Sequence, residues 1–141
     1  MNQKITAFLF GLLGTTLLIC SCILALYFRQ SSQQAALYSQ LAASASYFDT
    51  GELTGEGSLL SEREKLYQQN PDIVGWIQIE GTSIDYPVMQ TPTDPNYYLK
   101  HDFEKNYTDY GCPFMQADCD ALAPSDNLII YGHNMKDGSM F

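Results

Sequence analysis

The chain has 141 residues and a formal net charge of −9, which leaves room for one folded domain at most. Its acids are unevenly placed: beyond Arg29 sixteen Asp and Glu stand against five Lys and Arg, a net −11 for that part. A surface so acidic repels nucleic acid and anionic lipid headgroups and excludes both as partners of that part.

The N-terminus reads as a membrane segment. Ile5 to Phe28 is 24 residues without a charge, bracketed by Lys4 and Arg29. As a helix it is roughly 36 Å long, enough to cross a hydrocarbon core of roughly 30 Å with some tilt. Thr6, Thr15, Thr16 and Ser21 are tolerable there, because their hydroxyls can bond to backbone carbonyls. The stretch is longer than a signal-peptide core and no small-x-small cleavage site follows it clearly, so an uncleaved signal anchor is preferred over a cleaved leader. A lipoprotein is a further alternative, since Cys20 and Cys22 stand near the end of the run. Ile19 is too bulky before Cys20, whereas Ser21 suits Cys22 better. With one cation on each side the positive-inside bias is nearly balanced. The simplest arrangement puts residues 1–4 in the cytoplasm, 5–28 across the membrane and the acidic remainder outside the cell.

Residues 29–60 read as a stalk. Gln30 to Tyr47 favours helix, with Leu37 and Leu41 four apart on one face, and Asp49 to Ser58 is a Gly-rich flexible joint. A domain is expected over residues 61–141. Ser61 to Glu64 is a capping box that opens a helix. That helix ends before Asn70-Pro71, since the residue preceding a proline disfavours helical geometry.

Strand patterns follow. Gly75 to Glu80 alternates, with Ile77 and Ile79 on one face and Gln78 and Glu80 on the other beside Trp76; Gly81-Thr82-Ser83 is a turn. Ile84, Tyr86 and Val88 then alternate with Asp85, Pro87 and Met89, and Pro87 marks an edge or a bulge because it cannot donate to a ladder. Asn96 to Leu99 suits one helical turn. Gly111 to Gln116 is a short strand, and Ala117 to Asp126 an acidic loop. Asn127 to Tyr131 is the last strand, whose unbroken apolar character predicts burial on both faces. The fold class is therefore mainly β with N-terminal helices, and four short strands are too few to close a barrel.

Among chemistry-bearing residues, His133 stands out. It follows Gly132 where the apolar run ends, so a rigid strand can deliver an imidazole that titrates near neutral pH to a cleft. His101 is assigned to a polar loop. Tyr97, Tyr98, Trp76 and Phe114 read as core or sheet-face residues, and Asn134 as a neighbour that orients the loop beside His133. Pairing of His133 with Asp137 on a metal is weak, because a Gly-containing loop does not fix both ligands on one face. Cys112 and Cys119 can pair or stay free; they lack zinc-site spacing. Neither a metal nor a cofactor is expected.

The pieces NPDIVGWIQIEGTSIDYPVMQ (Asn70–Gln90), NYYLKHDF (Asn96–Phe103), GCPFMQAD (Gly111–Asp118) and NLIIYGHNMKDGSMF (Asn127–Phe141) together resemble the sortases, class B in particular. The resemblance implies an eight-stranded β-barrel, of which about four strands are represented here, preceded by the membrane helix. It implies a membrane-anchored cysteine transpeptidase of Gram-positive bacteria. Such an enzyme cuts a C-terminal sorting signal of a secreted protein through a Cys thioacyl intermediate. It then passes the acyl group to an amine of a peptidoglycan precursor or a pilin. The family's site is a Cys, a His and an Arg. His133 matches the histidine, while the segments that carry the cysteine and the arginine are absent from these residues. Cys119 lies between Asp118 and Asp120, which suppress thiolate, and Cys112 falls at an ordinary strand position. The expectation is a sortase fragment that is inactive alone. The rival readings are a non-catalytic membrane-anchored peptide-binding module and a plain lipoprotein.

Overall fold

The computed structural model describes residues 3–46, 64–123 and 127–141. Helix α1 runs Gln3–Ser46, and the boundary between two compact units, Met1–Ala36 and Leu37–Phe141, falls within it. In the first unit the apolar side chains of Phe8, Leu17, Leu18 and Phe28 face outward. The hydroxyls of Thr15, Thr16 and Ser21 each donate to the carbonyl three residues earlier at 2.8 Å, as expected of polar residues in an apolar helix. Among the described residues this is the one helix long and apolar enough to cross a membrane.

The second unit begins at Leu37. Tyr38 and Leu41 are buried with Leu66, Tyr86, Met89, Tyr98, Phe103, Tyr110, Cys112, Phe114 and Met140, and Leu37 packs against them. Residues 37–45, expected in the stalk, thus supply one wall of the core. The reason is the four-residue spacing of Leu37 and Leu41, which puts both on the helix face that carries Tyr38. The joint expected at residues 49–58 and the start of the capping box at Ser61 lie outside the described residues.

Residues 64–69 are helical. The helix stops where expected: the Asn70 N–H still reaches Leu66 O at 2.9 Å, and the Asn70 side chain then turns the chain by accepting the Asp72 N–H at 3.0 Å. Four strands follow, β1 (Ile73–Gln78), β2 (Asp85–Met89), β3 (Phe114–Met115) and β4 (Ile130–Tyr131). They form one open mixed sheet in the order β1-β2-β3-β4. β1 and β2 are an antiparallel hairpin with a bulge between Ile73 and Gly75, β2 and β3 are parallel, and β3 and β4 antiparallel. A single 3-10 turn, Tyr97–Leu99, stands in the connection between β2 and β3.

Three strand expectations are corrected. Alternation does not hold in β2, where Tyr86 to Met89 are all buried: Tyr86 and Met89, three apart and so on opposite faces, both belong to the hydrophobic core. Pro87 lies in the second strand and not at an edge. Met89, two residues on and so facing the same neighbour, donates its N–H to Pro113 O at 2.9 Å. β3 pairs with β2 at Met89 alone, so the missing Pro87 donor faces no partner strand. Finally, residues 127–131 are not buried on both faces. Leu128 is 49%, Ile129 37% and Tyr131 46% exposed, because β4 is the sheet edge with β3 on one side only.

Candidate functional site around His133

β4 is pinned to the sheet by Phe114, which pairs with Met89 on one side and Tyr131 on the other. The Phe114 and Tyr131 rings lie 5.5 Å apart. Gly132 follows, and the Phe141 ring occupies the place where a Cβ at this position would stand, so a larger residue there would have to displace that ring. His133 comes next, half-buried. Its carbonyl accepts the Phe141 N–H at 2.8 Å, and Asn134 forms an antiparallel bridge with Met140. Residues 133–141 therefore close on themselves as a loop whose two ends are paired beside the histidine.

Three distant groups hold that loop. The Tyr86 hydroxyl accepts the Met140 N–H at 3.2 Å. The Tyr110 hydroxyl donates to Asp137 Oδ2 at 2.8 Å, and Ser83 Oγ donates to Gly138 O at 3.0 Å. Inside the loop Asp137 Oδ1 accepts the Ser139 hydroxyl at 2.6 Å and the Ser139 N–H at 3.1 Å. Met140 is buried and adopts φ 64°, a left-handed conformation that costs a non-glycine residue about 1–2 kcal/mol. Burial of its side chain in the core and the Tyr86 contact offset that cost.

The other sequence candidates fall elsewhere or play other parts. Asp137 is the hydrogen-bonding centre of the loop, and among the described residues no group of His, Cys, Asp and Glu is arranged to hold a metal. His101 is more than a loop residue: it stacks on Tyr97 with ring centroids 3.9 Å apart. Its Nδ1 lies 2.7 Å from Tyr97 O, so that nitrogen carries the proton, since a carbonyl only accepts. Tyr98 and Phe114 are buried in the core, with Trp76 and Tyr97 packed at its margin.

Cys112 and Cys119 are both free thiols. Cys112 is buried with Sγ 3.7 Å from Pro87 O, and burial pushes its thiol well above the ordinary range. Cys119 is part-exposed, in the loop that Gln90 holds by donating Nε2 to the carbonyls of Gln116 at 2.9 Å and Cys119 at 2.7 Å. Neither environment is electropositive, as a reactive thiolate requires.

Sequence reasoning did not single out Tyr86, Tyr110 or Ser83. Their partners lie 54, 27 and 55 residues away, and no local pattern encodes a contact at such separation.

The open mixed sheet with its glycine-histidine step and clamped loop is similar in fold to solved sortase B structures. The Staphylococcus aureus sortase B–substrate complex superposes with a TM-score of 0.68 at 32% identity, over 79% of this chain and 50% of that one. In sequence the chain is 42% identical to the sortase B of Listeria monocytogenes over 85 residues, 60% of this chain and 34% of that protein. It is also 42% identical to the sortase B of Staphylococcus aureus over 78 residues, 55% and 32% of the two chains. Over this region the chain is similar to sortase B in both sequence and fold. It spans about a third of the length of the curated relatives it matches. No family model matches it.

Proposed function

We propose that this chain carries the acid–base half of a membrane-anchored sortase-type cysteine transpeptidase, with His133 as its catalytic histidine. The helix within residues 5–28 spans the cell membrane with residues 1–4 in the cytoplasm, and the folded unit from Leu37 onward stands outside as part of a β-barrel. The reading rests on one observation: in a chain 42% identical over 85 residues to the Listeria monocytogenes sortase B, His133 leaves the strand edge with its backbone fixed by the Phe141 N–H.

The chemistry follows from the residue types. A cysteine thiolate attacks the scissile carbonyl of a sorting signal and forms a thioester. His133 as imidazolium protonates the departing amine, and as imidazole it takes the proton from the incoming one. A cationic side chain stabilises the oxyanion. Cys112 is buried and Cys119 lies beside Asp118 and Asp120, so neither is the nucleophile, and these residues alone should not turn over substrate. Related sortase B structures are complexes with substrate and with a triglycine peptide. A secreted protein's sorting signal and an amine of a peptidoglycan precursor or pilin are the corresponding partners here.

The test is a chimera in which residues 37–141 replace the matching part of the Staphylococcus aureus sortase B, which supplies the cysteine and the arginine. It should cleave that enzyme's own sorting peptide, and His133→Ala should abolish turnover. A folded chimera that binds the peptide but is inactive, or one indifferent to His133→Ala, would refute the catalytic reading and favour a binding module.

A further inference from the structure

We propose that the hydroxyls of Tyr86 and Tyr110 are positioning groups for His133, acting through the loop and not by contact with the histidine. This deepens the catalytic reading of His133 and rests on it for its meaning.

The route is a short series of contacts. Phe141 touches the chain on both sides of the peptide that enters His133: its ring covers Gly132, and its N–H bonds to the His133 carbonyl at 2.8 Å. Phe141 is itself placed by Met140, whose left-handed backbone at φ 64° is held by the Tyr86 hydroxyl at 3.2 Å. Release of that N–H leaves a non-glycine residue in a conformation it rarely adopts with one restraint fewer. The far end of the loop is held separately. Tyr110 donates to Asp137 at 2.8 Å, and Asp137 in turn orders Ser139 at 2.6 Å.

Both rings sit in the core, where Tyr86 meets Tyr38 edge-on at 5.1 Å. The packing is satisfied by the rings alone. The hydroxyls are the parts that reach out to the loop, and a phenylalanine at either place keeps the ring and removes the hydroxyl's bond to the loop.

The chain contains two histidines, which makes the test direct. The full chain is prepared in detergent micelles with 13C-labelled histidine, and the two Cε1–H signals are followed in Tyr86→Phe, Tyr110→Phe and the double variant. The His133 signal should move by more than its line width in each single variant and further in the double one. The His101 signal, tied to Tyr97, should stay in place. In the chimera the same variants should lower kcat by about tenfold to a hundredfold, as expected of a small misplacement of a reacting group, and leave KM unchanged.

An unmoved His133 signal overturns the proposal, and so does movement of both histidine signals together, which marks a general loosening. If Tyr110→Phe does not fold, Asp137→Ala removes the same bond from the loop side together with the two Ser139 bonds, and Ser139→Ala, which removes only the hydroxyl's bond to Asp137, separates the two. The His133 signal should move in Asp137→Ala and stay in place in Ser139→Ala, and equal movement in both overturns the part given to Tyr110. A chimera without any turnover refutes the catalytic role, while the signals still decide the positioning.

Discussion

Replacement of Gly111 by alanine should destabilise the folded unit far more than the same change at Gly81. Both glycines have positive φ, 63° and 78°, so each alanine carries the left-handed penalty of about 1–2 kcal/mol. At Gly81 a Cβ meets nothing within 4 Å; at Gly111 it would stand 2.6 Å from Tyr98 O and 2.8 Å from Leu99 O. Those are backbone atoms that cannot swing away, so residue 111 must shift. The Cys112 N–H to Tyr98 O bond at 2.9 Å and the Tyr38 hydroxyl to Gly111 O bond at 2.7 Å shift with it. At about 1 kcal/mol for each of the two hydrogen bonds lost, Gly111→Ala comes to about 3–4 kcal/mol, against about 1–2 for Gly81→Ala. The chain has one tryptophan, Trp76 in β1, with Nε1 donating to Asp85 at 2.7 Å. Its fluorescence reports urea unfolding of this unit. With a slope of about 2 kcal/mol per molar urea, the midpoint should fall by about 1.5–2 M for Gly111→Ala, and by less than about half of that for Gly81→Ala. Equal shifts for the two variants would refute the backbone clash.

Asn70→Leu should cost about 3 kcal/mol in the same assay. Asn70 is 1% exposed, and leucine would remove its Nδ2 bonds to Tyr98 Oη at 2.8 Å and Phe103 O at 2.7 Å together with the Oδ1 that accepts the Asp72 N–H at 3.0 Å. Cys112 predicts a pH dependence. Its folded-state pKa is raised by burial, so the unfolded chain loses the proton first as pH rises. Its stabilising contribution is complete below the ordinary thiol pKa of about 8.5 and declines above it. The urea midpoint should fall from about pH 8.5 upward, less steeply in Cys112→Ala; an identical slope in both would refute the assignment. Leu17→Lys places a charge in the middle of the apolar helix at about 2.5–3.5 kcal/mol. It should reduce the share of chain that resists alkaline carbonate extraction from membranes, whereas Leu37→Lys, outside the span, should not.

The local features of this chain were legible because their causes are local. The Asn70-Pro71 step ends a helix, Gly81 to Ser83 turns a hairpin, and Tyr97 to Leu99 winds once, each through residues adjacent in sequence. The apolar helix announced itself by length. What the sequence hid depends on neighbours far along the chain. Leu128 to Tyr131 reads as a doubly buried strand by composition, yet its exposure is decided by its place beside β3 at the sheet edge. Pro87 reads as an edge marker, yet an inner strand tolerates it where the next strand is too short to reach. Residues 37–45 read as a stalk because nothing in them names the core they join.

The same distinction governs the site. The glycine–histidine step and its following loop are visible in sequence, but the loop's shape depends on hydroxyls from β2, from the β1–β2 turn and from the loop before β3. A nine-residue loop tethered only at its ends samples many conformers. Three tethers from separate segments, with a buried Met140 in a strained backbone, restrict it to one. The elements that supply those tethers also form the core around Phe114 and Tyr98, so the order of the loop should be coupled to the stability of the core. Gly111→Ala, chosen to strain the core beside Tyr98, should therefore also broaden the His133 signal at urea concentrations well below its own unfolding midpoint, while Gly81→Ala leaves that signal sharp. If His133 stays sharp in Gly111→Ala until global unfolding, the loop is ordered by its own internal bonds, and the tethers from the sheet are incidental to it.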